Sequence, residues 1–489
     1  MTGIYHLFYQ DHLALAQNGV GIGPVWAHVA SRDLAKWARL GVALWNDKWY
    51  DKRAVFTGSA TIVDGVPFLI FAGLCDPKAQ PPCTPSGATY ALARPANRSD
   101  PLLRDWMKLD AVNPILNGTA DDPTTAWRTG DVTSASREYR LLGNGGAAGQ
   151  KTKGAAPLFG APNITGPWHL IGDSPFPAGE CPSLFPLPPL TQADTTGAKL
   201  PTHVYVRGYD RKDWYTLGTY TTNSDSRTDV GNWNQSIGVL FAERRIDRGN
   251  FYASKDFWCD KTQRRILWGW ATTSPASQTL PRQVLYEPRL RQLVFRPVEE
   301  LALLHTGPPL AQLAAPLTLA PNSTHTFFVG GDGAGNASDV TVTLQMPTRP
   351  TQFTVRVLGD GSGNEGSMSA HIDWVPPANS SSSEPYPVNV GIDYSPKPHN
   401  DHGATGDTLQ LLPSDKTLDL RLFTDRTVVE CFFQGGRVAL TAGAFHGARS
   451  RGQISFLTSD SVVTVLNATA WRMGAIWVSP GEVLVGTEQ

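Results

Sequence analysis

Along this chain apolar residues gather in short runs cut by glycine, proline and polar turn residues, and helical spacing is rare. Such runs predict strands. Ile4-Tyr5-His6-Leu7-Phe8-Tyr9 reads as a buried strand, and Val25-Trp26-Ala27-His28-Val29-Ala30-Ser31 as a second. Asp33 to Trp37 predicts a single helical turn capped by Ser31. Val55 to Val63 and Val66 to Phe71, joined by Asp64-Gly65, predict a hairpin by pattern and turn chemistry. Further strands are expected at 137–142, 203–208, 214–220, 250–254 and 265–271, with proline- or glycine-rich loops at 185–201 and 143–149. Many short strands with regular turns point to an all-β sandwich, barrel or propeller.

Near Pro297 to Leu304 the pattern turns briefly helical, and the composition then shifts. Loops of low complexity at 330–338 and 379–384 separate alternating strands such as Val340 to Leu344 and Leu418 to Phe423. Val428 to Phe433, Gln434-Gly435-Gly436 and Arg437 to Leu440 read as a hairpin. These features set a boundary near residue 305: a first unit over 1–305 and an antiparallel sandwich over 306–489.

A chain of 489 residues is long enough for two full cores. Charged residues make up 17% against the usual roughly 25%, net charge is −1, and no basic run occurs, which argues against a nucleic-acid surface. No apolar stretch is long enough to predict a membrane span, and no signal-peptide pattern opens the sequence. Asn-x-Ser/Thr acceptors at Asn97, Asn117, Asn163, Asn234, Asn322, Asn336, Asn379 and Asn467 favour the secretory route. The five cysteines are too scattered for a disulfide framework, and only Cys75 and Cys83 are near enough to suggest a loop-closing bridge. Fifteen tryptophans are many; most are expected to fill a β-rich core, though indole faces also serve as platforms for sugar rings.

The chemistry centres on Ala178-Gly179-Glu180-Cys181-Pro182-Ser183-Leu184-Phe185. Glycine and proline fix the backbone around a lone glutamate with small or apolar neighbours. Partial loss of water raises a carboxyl pKa and suits it to general acid catalysis. Alone, a glutamate before Cys-Pro reads as a turn residue or a strand-end carboxylate.

With its neighbours the chain resembles glycoside hydrolase family 32, the invertases, fructan hydrolases and plant-type fructosyltransferases. Tyr5-His6-Leu7-Phe8-Tyr9-Gln10 looks like that family's first propeller strand, and Trp26-Ala27-His28 with Ser31, Asp33-Leu34 and Trp37 like its next signature. Phe56-Thr57-Gly58-Ser59-Ala60-Thr61 resembles its Ser-Gly-Ser-Ala-Thr element, Asp122-Pro123 its Arg-Asp-Pro element and Glu180-Cys181-Pro182 its Glu-Cys-Pro element. Gly249-x-Phe251-Tyr252-Ala253-Ser254-Lys255 and Arg264 to Ala271 follow. Asp425-x-x-Val428-Val429-Glu430 with Gly435-Gly436-Arg437 matches in the second unit.

The resemblance implies a five-bladed β-propeller followed by a β-sandwich, with the active site in the propeller funnel. It implies cleavage of terminal β-fructofuranosides, sucrose or fructans, by a secreted, cell-wall or vacuolar enzyme that needs no cofactor and no metal. Retaining cleavage uses two carboxyl groups roughly 5–5.5 Å apart. By resemblance Glu180 is the acid/base and Asp122 stabilises the transition state through the ring hydroxyls. Gln10, Phe56, Thr57 and Asp121 fall at sugar-binding positions.

Some residues depart from the family pattern. Its nucleophile is the aspartate of an Asn-Asp-Pro-Asn-Gly element ahead of the segment matching Tyr5, and residues 1–489 contain no Asn-Asp-Pro. The expectation is a stretch without the attacking carboxylate, either a piece of a longer enzyme or a sugar-binding descendant. Asp121 stands where the family has arginine; facing the pocket with Asp122 it would set a like charge there and raise that residue's pKa, whereas strand alternation would turn it away. Ser183 follows Cys-Pro, and Gly19-Val20-Gly21 occupies a stretch where a subsite tryptophan is expected. Hydrolysis and fructosyl transfer are not separated by these residues.

Overall fold

In a computed structural model the described residues are 3–13, 23–76, 87–118, 121–129, 137–144, 154–223, 227–236, 243–331, 333–360, 367–377, 384–395, 406–443 and 450–485. Five antiparallel sheets follow one another along the first part of the chain, each made of consecutive strands, and form the blades of a propeller. The first blade joins Tyr5–Asp11, Val25–Ser31 and Trp37–Leu44, with Tyr5–Asp11 at its edge. The second is built on Ala54–Val63, Val66–Leu74 and Ala88–Pro95, and the third on Trp127–Arg128, Tyr139–Leu142, Ala155–Ala161 and His169–Pro177. The fourth begins with Glu180–Pro186, His203–Tyr209 and Lys212–Thr221, the fifth with Phe251–Cys259 and Arg264–Ala271.

Turn chemistry fixes the hairpins. Asp64 and Gly65 both take positive φ, 49° and 76°, so that Val63 pairs with Val66 as the sequence predicts. Positive φ at both central residues is the turn whose twist matches paired strands. Asp210 and Arg211, both at 54°, make the same turn in the fourth blade without a glycine. The helical turn expected at Asp33 to Trp37 does not form. Leu34 takes φ 62°, Ser31 Oγ accepts the amide of Leu34, and Asp33 Oδ1 accepts those of Ala35 and Lys36. Side-chain acceptors thus close a bend where the pattern implied a helix, because serine and aspartate compete for those amides.

A short 3₁₀ helix, Glu299–Leu304, buries Leu301 and Leu304 where the helical pattern appears. Beyond it two sheets face each other as a sandwich, one around Ala337–Gln345, Thr417–Asp425, Val428–Phe433 and Val463–Arg472, the other around Thr351–Gly359, Ser367–Trp374 and Tyr386–Ser395. The predicted hairpin is present, with Phe433 opposite Val438.

Buried charge joins propeller to sandwich. Arg282 is fully buried, 2.9 Å from Asp247 and 2.7 Å from Glu430, and donates also to Thr441 Oγ1. Glu430 accepts the amide of Leu280 at 2.7 Å. At Gly249 a side chain would meet the carbonyl oxygen of Thr441 at 1.8 Å, so this glycine is required by close approach. The second-unit motif residue Glu430 therefore serves this junction.

Cys75 is disulfide-bonded, while Cys181, Cys259 and Cys431 are free and buried; Cys83 lies outside the described residues. Asn97, Asn117, Asn163, Asn234, Asn322 and Asn467 are exposed, Asn336 is half-buried against Ser450, and Asn379 lies outside the described residues. No helix among the described residues is long and apolar enough to cross a membrane.

Candidate active site

The first strands of the second, fourth and fifth blades reach one end of a cavity of about 2980 Å³. Each is irregular there, with register shifts between Val55 and Gly58, Glu180 and Ser183, and Tyr252 and Lys255. A bulge bends a strand and re-aims its side chains, and such bulges concentrate beside active sites. Gly58 is required at the first of them: a side chain would meet the Ile70 carbonyl oxygen at 2.2 Å. Cys181 and Ala253 mark the other two, at φ 47° and 52°.

Glu180 opens its strand and is half-buried at the cavity wall. Burial raises its pKa first, and the charges of Asp122 and Asp213 raise it further against a smaller opposing effect of Arg211. The hydroxyl of Tyr252 donates to Oε2. A carboxyl group whose pKa is raised, at the wall of a cavity, is suited to general acid catalysis.

Asp122 is buried at the cavity wall, in a segment that is neither strand nor helix, at φ 57°. Its Oδ2 accepts the amide of Cys181 at 3.0 Å and Asn144 Nδ2 at 3.1 Å. The first of these bonds sets Asp122 against the residue that follows Glu180. Asn144 fastens both sides of the site: its Oδ1 accepts the amide of Asp121 at 3.2 Å and its carbonyl accepts that of Gly179 at 3.2 Å. Ser59 donates to the Pro123 carbonyl at 2.9 Å, and Thr61 accepts the Ala126 amide at 2.9 Å. These bonds tie the Ser-Ala-Thr stretch of the second blade to the loop that carries Asp122.

The other residues singled out in the sequence lie along the same wall. Gln10 donates to Thr57 Oγ1 at 3.2 Å, and Cys181 Sγ approaches the same oxygen at 4.0 Å. Phe56 lines the cavity half-buried, its carbonyl accepting Trp26 Nε1 at 3.0 Å. Asp121 is 2% exposed, and its carbonyl accepts Tyr90 Oη and the amide of Asn144, both at 3.0 Å. Strand alternation, which would have turned Asp121 and Asp122 apart, does not apply: their segment is not a strand, and both border the cavity. Ser183 donates to Asp256, which also pairs with Arg265.

Sequence reasoning passed over Asn144, Tyr252 and Asp213. Tyr252 stood within a quoted motif without a role, and Asn144 within a glycine-rich loop; no local pattern marks either as a partner of a residue tens of positions away. Of the tryptophans, Trp258, Trp270 and Trp477 are more than a third exposed and line the cavity, while Trp26, Trp37, Trp168, Trp268 and Trp374 are buried.

Family models agree with this picture. The model described as "Glycosyl hydrolases family 32 N-terminal domain" matches residues 1–294, and "Glycosyl hydrolases family 32 C terminal" matches 316–472. An insoluble β-fructofuranosidase isoenzyme, CWINV2, of Arabidopsis thaliana is 33% identical over 62% of this chain and 52% of its own length. The chain thus spans about half the length of the first curated relatives it matches. An acid β-fructofuranosidase of Solanum lycopersicum is 30% identical over 90% of this chain and 73% of its own. In fold, the crystal structure of fructan 1-exohydrolase IIa from Cichorium intybus superposes with a TM-score of 0.76 at 24% identity, covering 98% of this chain and 94% of that one. On the length and order of these matches, the chain belongs to glycosyl hydrolases family 32.

Proposed function

We propose that residues 1–305 form the catalytic propeller of a secreted or vacuolar β-fructofuranosidase, followed by a β-sandwich over 306–489, and that the site cleaves terminal fructofuranosyl groups of sucrose or fructans with retention. The single observation that carries this reading is the bond from the Cys181 amide to Asp122 Oδ2, which seats a second carboxylate beside a half-buried Glu180 of raised pKa. Glu180 protonates the leaving oxygen and afterwards takes a proton from water, or from an acceptor sugar in transfer. Asp122 holds ring hydroxyls as positive charge develops on the fructosyl ring. Gln10, Phe56, Thr57 and Asp121 border the fructosyl pocket. The covalent step falls to the aspartate of the Asn-Asp-Pro-Asn-Gly element, which residues 1–489 do not contain.

A second reading is a sugar-binding protein on the same scaffold. One comparison separates them: residues 1–489 beside a version extended ahead of Tyr5 with a strand bearing that element, assayed for fructose release and, by calorimetry, for fructose binding. Release by the extended form alone is the expected result. Within that form Glu180→Gln lowers turnover about 10²–10⁴-fold, the usual weight of general acid catalysis, with folding intact. Turnover of Glu180→Gln within a few-fold of its parent places the acid elsewhere, and sugar binding without release by either form supports the binder.

A further inference from the structure

Glu180, Gly208 and Asp213 form one row across the fourth blade. Glu180 pairs with Gly208 in the neighbouring strand, and Gly208 pairs with Asp213 in the next. Directly paired residues present their side chains on the same face. The two carboxylates therefore flank a bare backbone position. Tyr252, from the fifth blade, lies over that gap: a side chain at Gly208 would meet the Glu180 carbonyl oxygen at 2.9 Å, the Tyr252 Cε2 at 3.0 Å and its hydroxyl at 3.3 Å. Only with this space open does the phenol rest on Glu180 as it does.

A regular strand would not deliver Tyr252 there. Between Tyr252 and Lys255 the pairing with the next strand slips, and Ala253 takes φ 52°, a conformation costly for a residue with a Cβ. Strain of this kind persists only where the surroundings impose it. Asp213 imposes it. Its carboxylate is 1% exposed and accepts the amides of Ala253 at 3.1 Å and Ser254 at 2.6 Å, the two groups that the slipped ladder leaves unpaired. Burial raises the pKa of Asp213, and hydrogen bonding from Ser254, the amide of Ala253 and the charge of Arg245 oppose that rise without cancelling it.

We propose that Asp213 is a positioning residue: by clamping the bulge at Ala253 it sets Tyr252 across Gly208 onto Glu180, and so orients the acid/base carboxyl. The importance of this device for turnover rests on the acid/base role given to Glu180, but the geometry can be tested without turnover. The charged groups acting on Glu180 are Asp122, Asp213 and Arg211. A phenol donating to a carboxylate favours its ionised form, so its loss raises the titration midpoint, whereas loss of the Asp213 charge lowers it.

The test is the midpoint of Glu180 in residues 1–489, followed by carbon-13 NMR of glutamate-labelled protein, its signal identified by its absence in Glu180→Gln. Tyr252→Phe is expected to raise the midpoint by about one unit, the weight of a hydrogen bond to a charged group. Asp213→Asn is then compared in the parent and in the Tyr252→Phe background. If Asp213 acts through Tyr252, its two effects differ by about one unit, because in the parent the loss of charge is offset by loss of the phenol. Equal effects in both backgrounds mean that Asp213 acts by charge alone, and overturn the proposal. Should Asp213→Asn fail to fold, Asp213→Glu decides, since it keeps the charge while displacing the carboxylate from the two amides. A rise like that of Tyr252→Phe supports the device, and an unmoved midpoint overturns it. Neither result depends on fructose release, so failure here and failure of the functional reading are separate outcomes.

Discussion

Propeller and sandwich solve the burial problem in different ways. The sandwich hides one contiguous interior, in which Val340, Phe353, Ile392, Leu422, Phe433 and Phe456 pack between two sheets. The propeller divides its apolar residues among several clusters, one set joining the fifth blade to the first and fourth, others lying between the second and third or the first and second. Strand ends at the funnel are thereby released from core packing. There the chain carries bulges, left-handed residues and buried carboxylates, all of which a continuous apolar interior penalises. The sandwich keeps one continuous core; the propeller gives up part of its own for a shaped cavity bordered by Asp122 and Glu180.

That contrast can be broken at its strongest point. Phe456 is fully buried and packs against Phe327 and Phe353 at ring separations of 4.8 and 5.9 Å. Phe456→Ala is expected to cost about 3–5 kcal/mol in chemical denaturation, the usual loss for a large buried ring. A cost below about 1 kcal/mol would mean that the sandwich interior is not the continuous core described. Glu430→Ala tests the seam between the two regions. It strips Arg282 of one of its two carboxylates where all three groups are buried, and roughly 3 kcal/mol is expected because a buried charge loses its partner. If the two regions unfold in separate steps in this variant but together in the parent, the Arg282 cluster is what couples them.

The sequence carried the parts of this arrangement that are local. Asp64-Gly65 announced its hairpin, and Glu180 announced itself by glycine and proline on either side. Alternation and turn spacing were enough for an all-β chain in two parts. The positions of Asp122, Phe56 and Thr57 came only through resemblance, since a lone aspartate before proline has no pattern of its own. Asn144, Tyr252 and Asp213 act on partners 22, 72 and 40 residues away. Such pairings are fixed by the closure of blades, to which hydrophobic periodicity is blind. Ser31 and Asp33 show the opposite failure: the local signal for a helix start was real, and the same side-chain bonds made a bend instead.

A last, smaller test concerns the first blade. His6 Nδ1 and His28 Nε2 are 3.0 Å apart, and Phe8 stacks on the His28 ring with centroids 4.4 Å apart. Burial lowers the pKa of His6 to about 4, against a small opposing effect of Asp100, and that of His28 to about 3, helped by His6. Both values lie below the ordinary 6.5, so the folded protein binds fewer protons than the unfolded chain throughout the interval. The stabilising contribution is therefore complete above pH 6.5 and declines as the pH falls toward 4 and then 3. The limiting slope is about 1.4 kcal/mol per pH unit for each histidine. Near pH 7.5 the pair contributes no pH dependence, which makes this the smallest effect under ordinary conditions. His28→Phe keeps an aromatic ring against Phe8 and removes one titrating group, so unfolding midpoints measured from pH 7.5 to 4.5 should decline less steeply than in the parent. Parallel declines would show that the acid sensitivity arises elsewhere, and would make the first blade no more sensitive to acid than the sandwich.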